Sequence, residues 1–459
     1  MDNEPERQSG HASPVVRSSL EADLNRNLCL EDKLRRDDNE EPQELLKRLL
    51  STKSGIFTTS SFAEHQQSAI GCQTSFREIG TGSIGKVFEQ PGSVWAFKAL
   101  LIDRTEKLWN NYLIHLRIQE SLDTLGTLSG QVEVPRVAWF ANEASKFWDD
   151  NLEFFPDDPT FPRRPREILC MERVFPLPEP VRHALIDMFC NPTNSTAAKA
   201  HPANKDCLVK LLLGRKRFGS SRPGGSMFFS LRNYKLHIDQ VQSLQLDAEE
   251  YAKSMAGALV VLHWHTKVDA MDIEFMLGSS PTDNNAVRRA LDLRKIESLD
   301  PGTSTYEPTT NNSPNFKKRS ISLWMIDFDA CSTITMNDTG VCQAVKGFLE
   351  TEPFYPRPFT GDEYVESTWR IFSRRYIETS ERITANTAWR HLPNRFIKNV
   401  ENYFSQHRKG SAQRMSAARM CEQRYGSYGS WHRGRPRPIP STMFKASTIP
   451  ESVQKPPGR

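Results

Sequence analysis

The segment from Ile79 to Lys98 constrains this chain more than any other. It reads Ile-Gly-Thr-Gly-Ser-Ile-Gly-Lys-Val over residues 79–87, passes through a Gln90-Pro91-Gly92-Ser93 turn, and continues as Val94-Trp95-Ala96-Phe97-Lys98. Short β-type runs on either side of a Pro-Gly turn predict paired strands, with Gly80, Gly82 and Gly85 at the tip of a hairpin. Glycines there let the backbone lie close over a polyphosphate with its N–H groups exposed, and a lysine on the next strand can reach the same oxygens. A dinucleotide-binding fingerprint shares this glycine spacing but needs a helix directly after it, and here a turn and a strand follow. The expectation is therefore a phosphate-cradling hairpin carried by Gly80, Gly82, Gly85, Val87 and Lys98. A plain glycine hairpin with a surface lysine is the alternative.

The rest of the chain is long enough to give such a hairpin a core. Its 459 residues are 37% hydrophobic and 25% charged, within the globular range. Sixty Lys and Arg against 56 Asp and Glu leave a net charge of only +4, too balanced for a histone-like coat. No apolar run approaches the ~18 residues that a bilayer-spanning helix needs, so no membrane role is expected. The start, Met1-Asp2-Asn3-Glu4, is acidic where a secretory leader would be basic and then apolar, which points to a cytoplasmic or nuclear compartment. The eight cysteines are scattered without a CxxC pair, so they are read as free thiols and no zinc is expected. His263 and His265 flank Trp264 and read as core or helix-end histidines.

Composition divides the chain. Residues 1–70 are polar and charged with sparse apolar positions, a disordered leader in which Pro42 to Leu50 forms at most a transient helix. Residues 71–174 carry β-type runs and residues 175–405 carry helical periodicity, so the fold class is α+β: a β-rich N-lobe and a helical C-lobe between disordered tails. Polar stretches at Asn142 to Pro165, Asn191 to Gly225 and Ser279 to Arg319 read as surface insertions, the last two inside the C-lobe near 191–225 and 279–319. Residues 406–459 form a basic tail. From Arg408 onward it has eleven Lys or Arg against Glu422 and Glu451, a net of +9 in a chain of +4. Arginines mixed with Tyr425, Tyr428 and Trp431 suit a nucleic-acid or other acidic partner, and a merely solvated tail is the bland alternative.

The hairpin and its lysine resemble the ATP-binding loop of protein kinases and of the aminoglycoside phosphotransferases, and further segments follow in kinase order. Thr105 to Ser121 has Leu108, Tyr112, Leu113 and Leu116 on one helical face, in the place of the helix whose carboxylate pairs with the lysine; Glu120 is the candidate. The strand Ile168-Leu169-Cys170-Met171-Glu172 is similar to the strand and hinge between lobes, where Met171 and Glu172 to Val174 would border an adenine. After the amphipathic helix from Asp247 to Trp264, Asp269 precedes Glu274 by the five residues that separate the kinase catalytic Asp from its metal-binding Asn. Asp269 would orient an attacking hydroxyl and Glu274 would hold Mg²⁺, with Asp272 a competing acid. Finally Ile321 to Ile326 delivers Asp327-Phe328-Asp329, similar to the Asp-Phe-Gly segment, with Asp327 as Mg²⁺ ligand. Three departures stand out: Lys267-Val268 replaces His-Arg, Glu274 replaces Asn, and Asp329 replaces Gly.

Several runs resemble a different group as well. Cys207 to Arg217, Phe228 to Tyr234, His263-Trp264, Asp327-Phe328-Asp329 and Glu352 to Pro358 look like a fungal family that carries a domain of unknown function and is often labelled zinc finger protein. The cysteine spacing does not support that label. Three functions follow as expectations. The chain transfers the γ-phosphoryl of ATP to a hydroxyl acceptor, with Lys98 on the phosphates; or it is a pseudokinase that binds nucleotide or a protein partner without transfer; or its core is a scaffold and its tail binds nucleic acid.

Overall fold

The computed structural model describes residues 40–58, 60–101, 104–205, 207–217, 229–282, 292–308 and 314–409. The chain begins there with helix α1 (Pro42–Leu49), strand β1 (Lys53–Phe57) and helix α2 (Ser61–Ser68). It then lays down β2 (Arg77–Thr81), β3 (Gly85–Glu89) and β4 (Trp95–Leu100), followed by the 21-residue helix α3 (Thr105–Leu125). The short β5 (Val132–Glu133), β6 (Val137–Ala141) and β7 (Ile168–Glu172) come next. The later part holds β8 (Val209–Leu212), β9 (Tyr234–His237), helix α4 (Ala248–Val260), β10 (Glu274–Pro281) and β11 (Lys318–Ile326). Helices α5 (Asp338–Glu350), α6 (Glu363–Thr384) and α7 (Leu392–Lys409) complete it, so the fold is α+β on two sheets. No described helix is long and apolar enough to cross a membrane.

The first sheet is antiparallel in the order β2-β3-β4-β7-β6. Every residue of its central strand β4 is buried. Alternation along a strand sends Trp95, Phe97 and Ala99 into an aromatic cluster with Phe76, Phe88, Trp139 and Phe147, and Leu100 into a second cluster with Leu108, Trp109 and Tyr112 of α3. Lys98 shares the parity of Leu100 and therefore lies on the α3 side. Helix α3 joins two clusters, because Leu108, Trp109 and Tyr112 belong to one and Ile114 and Ile118 to the large cluster around the second sheet.

The second sheet runs β1-β11-β10-β8-β9, with β5 paired parallel to β11. Its central strand β11 is held by β1 (Lys53 opposite Ser322), by β10 (Leu277 opposite Leu323) and by β5 (Val132 opposite Leu323). Three neighbours explain why Leu323 and Met325 are fully buried. Helix α4 is N-capped by Asp247, whose side chain accepts from the Glu250 N–H at 2.9 Å, and packs against α6. A π-type turn, Val261–Thr266, carries it to Lys267, a left-handed residue at φ 62°.

Several expectations need correction. The leader assigned to residues 1–70 is folded from residue 40 onward. Leu45, Leu46 and Leu49 form a helix face that packs against helix Glu179–Phe189, the Tyr251 hydroxyl donates to the Leu50 carbonyl at 2.7 Å, and β1 is an edge strand of the second sheet. Burial supplied the free energy that composition alone lacked. The stretch 142–165 is no surface insertion, since Phe147, Trp148, Phe155 and Phe161 cover one face of the first sheet. Within 191–225, β8 buries Val209, Leu211 and Leu212; within 279–319, Ile296 and Phe316 enter the core. The region read as helical, residues 175–405, is therefore mixed and carries strands of the second sheet. Helix α7 reaches Lys409, and the rest of the basic tail lies outside the described residues.

Candidate functional site

The two sheets meet at Lys98. It stands opposite Val87 in β3 and Leu169 in β7, and its side chain is 8% exposed. Its Nζ reaches across to the end of β11, where it donates to Asp327 Oδ1 at 3.1 Å and to Asp329 Oδ2 at 2.8 Å. Burial alone would lower the pKa of this ammonium, but the two carboxylates hold it above its ordinary value. Gly85 permits the approach of β3: a Cβ there would fall 2.6 Å from the Ala99 carbonyl oxygen and 3.6 Å from Lys98 Cγ. At the hairpin tip the Gly82 N–H donates to the Gly85 carbonyl at 2.8 Å, while Lys86 turns away to Glu78 and Asp158.

Asp327 occupies the left-handed region at φ 66°, a conformation that a short polar side chain tolerates and that clusters at functional sites. Its carboxyl is 40% exposed, and its pKa is raised by desolvation and by Asp329 despite the opposing Lys98. Phe328 points inward, 1% exposed, and meets the His115 ring of α3 edge-on at 4.8 Å. His115 is bonded to the Pro135 carbonyl at 2.6 Å, and burial drives its pKa down to about 3. Asn110 of α3 donates to the Cys331 carbonyl at 3.0 Å, a second tie between this helix and the segment after β11. Glu120, by contrast, is exposed on α3, and the two ion pairs of Lys98 run to Asp327 and Asp329 instead.

The loop between α4 and β10 carries two acids in different settings. Asp269 is 4% exposed, and its carboxylate is held in place: Oδ1 accepts from the Met271 N–H at 3.1 Å and the Ser332 N–H at 2.9 Å, and Oδ2 accepts from Gln343 Nε2 at 2.9 Å. A Cβ on Gly347 would fall 2.2 Å from the Asp269 carbonyl oxygen, so α5 packs directly on this loop. Asp272, at φ 58°, has its N–H anchored on Thr351 Oγ1 at 2.9 Å. Desolvation raises its pKa first, followed by the charges of Asp327 and Asp329, with Lys210 opposing. Glu274 opens β10 opposite Ile326, one residue before Asp327, and pairs with Lys210 of β8. Burial raises the Glu274 pKa despite that lysine.

A cavity of about 310 Å³ lies between the glycine strand β2 and the segment that follows β7. Ile79, Gly80, Val174, Pro176, Leu208 and Arg232 are among its lining residues. The Glu172 N–H is bonded to the Arg136 carbonyl and the Arg173 N–H to the Val94 carbonyl, and Arg173, Val174 and Pro176 of the segment after β7 border this space. Met171 is opposite Ala96 in β4 and packs against the cluster formed with α3.

Lys98, on the strand after the glycine hairpin, thus meets Asp327 and Asp329, and the Asp269 loop is tied to the same segment through the Ser332 N–H and the Cys331 thiol, whereas the cavity is lined by neither Lys98 nor these acids. Sequence reasoning treated Asp329 only as a missing glycine, whereas it is the shorter of the two Lys98 contacts. Lys210 and Glu352 fall within the family-like runs but take no site role there, because a lysine between apolar residues of a strand reads as an outward-facing residue.

Comparison with known proteins is limited to one segment. Residues 323–388 match the model of a family of unknown function, DUF3669, described as "Zinc finger protein". No curated protein matches the chain. The matched segment runs from β11 through Asp327 and Asp329 to just beyond α6. It contains two cysteines, Cys331 and Cys342, and no histidine. Among the described residues no group of three or more His, Cys, Asp or Glu is placed to hold a metal ion. The donor set therefore does not fit a structural zinc site. Asp327 and Asp329 offer hard oxygens from two carboxylates, which suits Mg²⁺ that completes its shell with phosphate oxygens and water.

Proposed function

We propose that this chain is a kinase-like protein that binds a nucleoside triphosphate with Mg²⁺ in the crevice between its two sheets. One observation carries the reading: Lys98, beside the glycine hairpin, meets Asp327 and Asp329 from the other sheet at 3.1 and 2.8 Å. An ammonium and two carboxylates gathered at such a crevice match the needs of a polyphosphate and its counter-ion. The lysine would exchange one carboxylate for a phosphate oxygen. Asp327 and Asp329 would hold Mg²⁺, which neutralises charge on the phosphates when bound. The exposed tip residues Thr81, Gly82 and Ser83 would cover the phosphates, and the cavity beside Val174 and Leu208 would take the base.

Asp269 favours binding without transfer, because its carboxylate is fully engaged by two backbone amides and Gln343. Asp272 favours the second reading, γ-phosphoryl transfer to a hydroxyl acceptor. Its carboxyl lies within the field of Asp327 and Asp329 and its raised pKa suits a proton acceptor.

Thermal unfolding with and without millimolar ATP and Mg²⁺ tests the reading. The wild type should shift upward and Lys98→Met should not. No shift in the wild type would remove both readings. Phosphate release that persists in Asp269→Asn and disappears in Asp272→Asn would select transfer through Asp272. A shift without turnover would select binding alone.

A further inference from the structure

The residue with the most unexplained charge chemistry near the crevice is Lys210. It lies on β8, between Met276 of β10 and Lys235 of β9, and its side chain is 13% exposed. Its Nζ donates to Glu274 and, at 3.0 Å, to Glu352 Oε2, while Lys235 holds the other oxygen of Glu352. Sheet stability does not require this arrangement. Three ion-pairing side chains half-withdrawn from water cost desolvation that an apolar trio would avoid. Its position is informative, because Glu274 stands across the ladder from Ile326, the residue before Asp327. The fields of Lys210 and Glu352 reach Asp272, and that of Asp327 reaches Glu274.

We infer that Lys210 is a tethered cation that stands at Glu274 in place of a second divalent ion, so that the nucleotide site takes one such ion, at Asp327 and Asp329. This rests on the nucleotide reading above and adds its ion stoichiometry. A carboxylate at the position of Glu274 would ordinarily attract a second Mg²⁺ once phosphate oxygens are nearby. Here a fixed ammonium already neutralises it, and Glu352 fixes the ammonium. Removing the lysine leaves Glu274 and Glu352 facing one another with no partner but Lys235, an oxygen-rich site open to a divalent ion.

The test counts Mn²⁺ bound per chain by the loss of free-ion EPR signal at saturating non-hydrolysable ATP analogue. Wild type should bind one ion, Lys210→Met two, and Lys210→Met with Glu274→Gln one again. Lys210→Arg, which keeps the positive charge, should bind one. A structural ion pair alone would lower thermal stability in Lys210→Met without changing the count, and that result overturns the inference. Two ions in the wild type overturn it as well, whether or not Lys210→Met folds. If no form binds Mn²⁺ in a nucleotide-dependent way, the nucleotide reading itself fails and takes this inference with it.

Discussion

The two sheets contribute to the same crevice but are assembled differently. The first takes its strands from residues 77–172 and pairs β2, β3 and β4 through tight local turns. The second gathers β1 at residue 53, β5 at 132, β8 at 209 and β11 at 318 into one sheet. Contacts of low sequence separation leave local signals such as alternation and turn residues. Contacts across 270 residues leave none, as between Lys53 and Ser322. The lysine therefore comes from the sheet that local pattern describes, and the acids come from the sheet that only tertiary packing can specify.

The largest expected effect breaks the second sheet at its most distant strand. Removing residues 1–58 takes away α1 and β1 and strips Leu45, Leu46, Leu49, Leu50 and Ile56 from the core. At ~2 kcal/mol for each buried side chain, the loss rivals the whole net stability of a domain. Cooperative urea unfolding should vanish. An unaltered midpoint in this deletion would mean that β11 does not need its β1 neighbour. The single change Leu46→Ala, at a fully buried position, should cost about 3 kcal/mol.

Phe328→Ala comes next, because it removes one of two ties between the acid-bearing segment and α3, leaving that of Asn110 to the Cys331 carbonyl. It should cost about 3 kcal/mol and lower nucleotide affinity as Asp327 and Asp329 lose their fixed placement. Equal affinity in this variant, measured by calorimetry, would show that Asp327 and Asp329 keep their placement without the Phe328–His115 contact.

These effects follow what could and could not be read beforehand. Gly80, Gly85 and Lys98 were legible because a hairpin imposes its own chemistry, and Asp327 because an apolar strand ends there. The partner of Lys98 was not legible. The search for a helix carboxylate led to Glu120, since helical spacing shows which residues share a face but not which face a distant aspartate will meet. Asp269 and Asp272 differ by three positions, and only the amides of Met271 and Ser332 reveal which of them is tied down. Helix α1 was underrated because its short leucine pattern is marginal in isolation and becomes stable only against residues beyond 179.

Mild acid should sharpen the comparison by acting on the junction. His115, on α3 against Phe328, and His263, bonded to the Tyr376 hydroxyl, are both buried with pKa values pushed down to about 3. A base whose folded pKa lies below its unfolded value of ~6.5 binds more protons when unfolded, so stability falls as pH drops below ~6.5. The melting temperature should decline from pH 6.5 toward pH 4. His115→Gln, which keeps a donor for the Pro135 carbonyl, should flatten part of that slope. An unchanged slope would place the acid sensitivity outside this junction.

The smallest effect concerns the crowded acids themselves. Asp272 has a raised folded pKa, so the folded chain binds more protons than the unfolded chain in the window above pH ~4. Its contribution to stability is therefore present at low pH and lost as pH rises through the folded value, opposite in sign to that of the histidines. Replacing it with Asn removes one negative charge from the neighbourhood of Asp327 and Asp329 while keeping the size of the side chain. At pH 7 and in the absence of divalent ions, Asp272→Asn should raise the melting temperature, and the gain should shrink on adding Mg²⁺ because the ion relieves the same repulsion. Destabilisation at pH 7 would mean that the Asp272 carboxylate is needed for packing against the Thr351 turn. A gain unaffected by Mg²⁺ would place the divalent ion away from the acids that Lys98 now holds.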